Sequence, residues 1–193
     1  MAENNSQMGG SGGERYRPPL LWIDLEMTGL DDAKDVILEV GAVVTDLDFK
    51  ILEEYERVVH QPQEALDRMD DWCKKTHGAS GLTDKVKTGV PLADVEKDLI
   101  ALANRHFPKK EDKIVLCGNS VGNDRRFIDR YLPAFAERLH YRLIDVSSFK
   151  EVFRQKYGFK HEKKNAHRAI GDIHESIAEL KTYLGYVTAP SKK

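Results

Sequence analysis

A chain of 193 residues that is 40% hydrophobic and 32% charged suits one domain with a sizeable core. Its net charge of -2 excludes a whole-surface basic field of the kind that holds long nucleic acid by counterion release, so any nucleic acid it binds is expected to be short. Cys73 and Cys117 form no C-x-x-C pair, and there is no apolar run of about 18 residues and no secretory or transit pattern. These features argue against a disulfide scaffold and a membrane protein, and predict a cytoplasmic chain with reduced thiols.

Residues 1–18 are polar and glycine-rich and predict a flexible leader. The folded domain is expected over 19–187, with a flexible tail over 188–193. The apolar pattern of Leu20 to Gly29 predicts a strand, Val36 to Val44 and Phe49 to Val59 predict two more, and the three form an antiparallel meander. Helical segments follow at Pro62 to Met69, Asp71 to His77, Thr83 to Val86 and Pro91 to Phe107. In the last, Leu92, Val95, Leu99, Leu102 and Ala103 recur at helical spacing and would cover the sheet. Ile114 to Cys117 is a short strand, followed by a helix that ends at Tyr131 and a break at Pro133 before Phe135 to Leu139. Arg142 to Asp145 gives a fifth strand, Val146 to Tyr157 a helix, Gly158 to Asn165 a polar loop and Ala166 to Leu184 the closing helix. Ile170, Ile173, Ile177, Leu180 and Leu184 mark its core face. The fold class is therefore α/β: a mixed five-stranded sheet flanked by helices, with no repeat and no second domain.

Two acids interrupt the first strand. Asp24 and Glu26 are two residues apart, so they share one face while Ile23 and Leu25 take the other. Paired carboxylates repel unless a cation lies between them, and hard oxygen ligands suit Mg²⁺ or Mn²⁺; the alternative is a salt-bridged edge strand. Asp124 falls near a helix start, and Asp172 lies in the last helix five residues after His167. Singly, Asp124 reads as a cap, Asp172 as a solvated charge and His167 as a cap or a satisfied histidine. Together they supply carboxylates for two cations about 4 Å apart and a base for water.

In this order, Asp24-x-Glu26, Asp124 and His167-x-x-x-x-Asp172 resemble the DEDDh 3′→5′ exonucleases, which have a ribonuclease-H-like fold. Trp22 to Leu30, Gly118 to Phe127, His140 to Ser148 and His167 to Ser176 are similar to the oligoribonucleases within that group. The resemblance implies that Asp24 bridges two divalent metals, that Glu26 and Asp172 hold one and Asp124 the other, and that His167 is the general base. It further implies that Leu30 wedges between bases, that Trp72 lines the base pocket and that His77, Ser120 and Arg142 cap a 5′ phosphate. Tyr141 would reach the pocket of a partner in a homodimer. The implied substrates are dinucleotides and other very short RNA, released as 5′-mononucleotides. By type alone, Leu30 and Trp72 read as core, His77, Ser120 and Arg142 as helix, turn and strand-end residues, and Tyr141 as a sheet-edge aromatic. His161 to Lys164 depart from the more aromatic approach to the last motif in many relatives, and His174 reads as a structural or surface histidine without zinc-site partners. Two rivals stay open: an exonuclease acting on longer nucleic acid, using a local patch of Arg125, Arg126 and Lys160 to Lys164, and a non-catalytic binding module.

Overall fold

The computed structural model describes residues 18–109, 111–159 and 168–187, so His167, Lys160 to Lys164, most of the leader and the tail lie outside the described residues. Strands β1 (Leu20–Met27), β2 (Ile37–Thr45), β3 (Ile51–Val58), β4 (Ile114–Gly118) and β5 (Leu139–Asp145) form one sheet in the order β3-β2-β1-β4-β5. β1 to β3 pair antiparallel, and β4 and β5 extend the sheet in parallel with β1. The described helices are α1 (Gln63–Asp67), α2 (Asp71–Ala79), α3 (Leu82–Val86), α4 (Leu92–His106), α5 (Gly122–Tyr131), α6 (Pro133–Ala136), α7 (Val146–Tyr157) and α8 (Ala169–Gly185).

β1 lies in the middle of the sheet, which excludes the edge-strand reading of its acids. The alternation along it is sharp. Leu21, Ile23 and Leu25 join a core cluster with Val95, Leu99 and Leu102 of α4 and Phe127 and Ile128 of α5. Trp22 enters a second cluster on the opposite face with Ile173, Ile177 and Leu180 of α8, and its ring N–H donates to Thr45 Oγ1 at 3.0 Å. Each buried side chain of this size contributes roughly 1.5–3 kcal/mol, so the apolar half of β1 offsets the cost of carrying two acids into the same strand. α1, α2 and α3 pack a third cluster against Leu38 of β2.

Several boundaries differ from those expected. β3 starts at Ile51 because Phe49 takes a left-handed φ of 64° in the turn that Asp46 closes by accepting from Asp48 N and Lys50 N. The helix after Pro133 stops at Ala136 and β5 begins early, at Leu139, opposite Ile114. The buried Arg138 guanidinium fixes that corner by donating to Asn104 Oδ1 and to the Phe107 carbonyl. α8 begins at Ala169 rather than Ala166, because Arg168 is extended, with φ -138° and ψ 130°. Leu184 is exposed at its far end rather than in the core. His174 is a surface residue, 3.0 Å from Glu54.

Candidate metal centre and substrate surface

The acids converge at the carboxyl end of β1. One ligand oxygen from each of Asp24, Glu26 and Asp172 lies within 4.8 Å of the others. Asp24 and Glu26 face α8 because β1 alternates, and Asp172 faces them from the first turn of that helix. Asp124, in the first turn of α5, is buried, and its Oδ1 accepts from Leu25 N at 2.9 Å, between the two β1 acids. The carboxyl of Glu26 is pushed up to about 8, first by burial and then by Asp172, Glu39 and Asp124, with Arg168 opposing. Burial likewise pushes Asp124 up to about 7, against the pull of the Leu25 N–H. Such shifts mark carboxylates whose burial, and for Glu26 the neighbouring acids, outweigh nearby Arg168 and the Leu25 amide, and the donor set is all oxygen, which fits a hard divalent cation.

The residues singled out for substrate fall into three places. Leu30 is 62% exposed, on a loop held by Asp35, which accepts from Thr28 Oγ1 at 3.0 Å and from Asp31 N at 2.9 Å. Tyr131 OH donates to the Asp35 carbonyl at 2.7 Å, Arg126 donates to the Leu30 carbonyl at 3.2 Å, and a Cβ at Gly29 would overlap the Asp35 carboxylate. A large apolar side chain is thus held in solvent on a fixed loop. Trp72 is also 62% exposed, in the first turn of α2, whose N-cap Asp70 accepts from Cys73 N at 2.7 Å. Neither Leu30 nor Trp72 is a core residue. His77, on the same helix, is buried, with Nε2 donating to the Met27 carbonyl at 2.9 Å and Nδ1 3.8 Å from Glu26. It lies beside the acid cluster.

Ser120 follows β4 in a left-handed conformation, φ 53°, and its N–H donates to Asp145 Oδ1 and Ser147 Oγ, both at 2.9 Å. The two serine hydroxyls are 3.0 Å apart. Asn119 accepts from Ser147 Oγ at 3.1 Å and donates to the buried Glu179 at 3.1 Å, which ties this loop to α8. Tyr141 and Arg142 lie on β5, the outer strand. Tyr141 is 77% exposed and stacks on His140, and the Arg142 guanidinium lies 5.4 Å from its ring centroid. Arg142 N also donates to His140 Nδ1 at 2.9 Å.

The sequence reading missed Glu39. It is fully buried, paired with Arg168 at 2.6 Å, and the only acid in the apolar run of β2. A lone charge in an otherwise apolar strand was the available signal. It also missed Ser147 and Asn119, for which local pattern offers no signal.

The sequence model of the RNase_T exonuclease family matches residues 21–180. The mitochondrial oligoribonuclease of Homo sapiens is 44% identical over 177 residues, covering 89% of this chain and 74% of that protein. The oligoribonuclease of Azoarcus sp. (strain BH72) is 44% identical over 169 residues, covering 85% and 92%. Among solved structures, E. coli Exonuclease I in complex with a 5cy-dT13 oligonucleotide superposes with TM-score 0.64 at 14% identity, over 89% of this chain and 41% of that one. A zinc-bound form of an E. coli ExoI–ssDNA complex gives 0.62 at 16% identity, over 86% and 40%. The chain spans about two fifths of those structures, and at such identity they speak to the fold alone. The sheet order and the family match agree with the ribonuclease-H-like architecture, and the chain belongs to the oligoribonucleases of the RNase_T exonuclease family.

Proposed function

We propose that this chain is a divalent-metal-dependent 3′→5′ exoribonuclease that hydrolyses dinucleotides and slightly longer RNA to 5′-mononucleotides. The observation that carries this reading is the gathering of Asp24, Glu26 and Asp172 within 4.8 Å, in a chain 44% identical to oligoribonucleases. In this reading Asp24, Glu26 and Asp172, with Asp124, hold two cations, Mg²⁺ or Mn²⁺. Cations bound there supply water activation and neutralise charge on the departing 3′ oxygen. His167, the general base, takes the proton of the attacking water, and its near-neutral ordinary titration suits that role.

In this reading, selection for short substrates rests on Leu30, Trp72, His77, Ser120 and Arg142. Leu30 and Trp72 are large apolar side chains held in solvent; Leu30 offers an apolar wedge, and stacking of a base on the Trp72 ring contributes roughly 1–3 kcal/mol. His77, Ser120 and Arg142 cap the 5′ phosphate of a substrate only a few nucleotides long. Arg142 and Tyr141 lie exposed on the outer strand, which supports a two-fold homodimer in which the partner completes the pocket. Among the described residues no helix is long and apolar enough to cross a membrane. Cys73 and Cys117 are buried free thiols, which supports a reducing compartment, the cytoplasm.

The test follows a dinucleotide and a 5′-labelled short RNA with Mg²⁺, Mn²⁺ or excess chelator. Release of 5′-mononucleotides from the 3′ end, abolished by the chelator, is expected. Internal cleavage, or full activity with the metal removed, contradicts the reading.

A further inference from the structure

The third member of the acid cluster is delivered by contacts on β2 that the reaction itself does not use. In the β1–β2 ladder Glu39 is opposite Glu26 and Gly41 is opposite Asp24. Both β2 residues face the start of α8. The Glu39 carboxylate accepts from Arg168 Nε at 3.0 and 3.1 Å and from its terminal nitrogen at 2.6 Å, and it also accepts from Ala169 N at 3.2 Å. α8 has no side-chain cap of its own, so Glu39 satisfies the first free amide of that helix from a neighbouring strand. Arg168 in turn accepts from Asp172 N at 3.0 Å through its carbonyl. At Gly41 a Cβ would stand 2.7 Å from the Ala169 Cβ and 3.1 Å from Ile170 N, so only glycine lets the first turn approach the strand this closely.

We propose that Glu39 and Gly41 are positioning residues for the metal centre. Glu39 grips the entry to α8 and Gly41 sets its height above the sheet, and together they bring Asp172 to Asp24 and Glu26. The same grip fixes the chain one residue beyond His167. Buried ion pairs are often neutral for stability, which leaves geometry as the gain from this one. The inference rests on the metal reading proposed above and adds the residues that enforce it.

Gly41→Ala tests the height without altering charge. Mn²⁺ is titrated calorimetrically into the full-length metal-free protein, and kcat and KM are measured on a dinucleotide at saturating Mn²⁺. A misplacement of under 1 Å is expected to weaken Mn²⁺ binding about 10-fold and to lower kcat roughly 10–100-fold, with KM within about 3-fold of wild type. Ala169→Gly placed on top of Gly41→Ala removes the nearest of the opposing atoms, the methyl, but not the backbone ones, and is expected to restore part of both losses. Glu39→Asp keeps the charge but cannot reach both Arg168 and Ala169. It should move Mn²⁺ affinity and kcat in the same direction, and it carries the test if Gly41→Ala does not fold. Wild-type Mn²⁺ affinity and kcat in a folded Gly41→Ala or Glu39→Asp protein overturn the proposal. Absence of Mn²⁺ binding in the wild type removes the metal reading itself, before any variant is compared.

Discussion

Asp124 Oδ1 accepts a hydrogen bond of 2.9 Å from Leu25 N, the one backbone amide that lies between Asp24 and Glu26. The first turn of α5 is thereby pinned to the strand that carries the other acids, and the Asp124 carboxyl is both a structural acceptor and a candidate ligand.

Those two roles separate on substitution. Asp124→Asn keeps an amide oxygen to accept from Leu25 and, at a pH below the Asp124 titration near 7, should fold with stability close to wild type, while losing activity. Asp124→Ala leaves a buried N–H unmatched and should lose roughly 1–3 kcal/mol as well. Denaturant unfolding of the metal-free proteins checks this, and equal destabilisation by Asn and Ala would contradict it.

The raised carboxyls of Glu26 and Asp124 make stability depend on pH. In the metal-free fold Glu26 titrates near 8 and Asp124 near 7, both far above their ordinary range. The native state therefore holds protons that the unfolded chain has already lost. The stability they contribute is fully present below the ordinary carboxyl range and drains away as pH rises toward 8. Each group contributes a slope of at most about 1.4 kcal/mol per pH unit. Tm of the metal-free protein should fall between pH 5 and 8, and Mn²⁺ should raise Tm more at the upper end, since binding displaces those protons. A flat profile, or a larger metal effect at low pH, would count against the cluster as a cation site.

Much of this site was legible in the sequence, and the reasons are local. Strand alternation placed Asp24 and Glu26 on one face, and α7 runs over Val146–Tyr157 as its pattern predicts. The start of α8 was not legible, because Arg168 is drawn into extended backbone by Glu39, a partner 129 positions away. Nor was the exposure of Leu30 and Trp72: apolar residue types predict burial, and only the Asp35-braced loop and the capped α2 hold them outside it.

His167 is proposed as the general base from its place in the motif shared with the DEDDh exonucleases. His167→Ala should lower kcat about 10²–10⁴-fold with little change in KM, and raising the pH should recover part of the rate as hydroxide replaces the missing base. Steady-state kinetics over pH 6 to about 9.5 decide this. A change confined to KM would remove His167 from the proton transfer.

A shared site predicts complementation. Homodimers of Asp24→Asn and of Tyr141→Ala should both be impaired, whereas a mixed dimer keeps one intact site. Random re-association makes about half the dimers mixed, so roughly a quarter of wild-type activity should return after unfolding and refolding the mixture. Activity no greater than the sum of the two variants, or an active protein that sediments as a monomer, would contradict the dimer.

Preference for the shortest RNA is measured as kcat/KM along a ladder of 5′-phosphorylated RNAs from two nucleotides to about twenty, at fixed Mn²⁺. A net charge of -2, exposed Leu30 and Trp72, and the proposed phosphate cap of His77, Ser120 and Arg142 predict a maximum at the dinucleotide and a steep fall within a few added residues. A value that is flat with length, or that rises toward the longest RNA, would contradict the account and favour an exonuclease of long substrates.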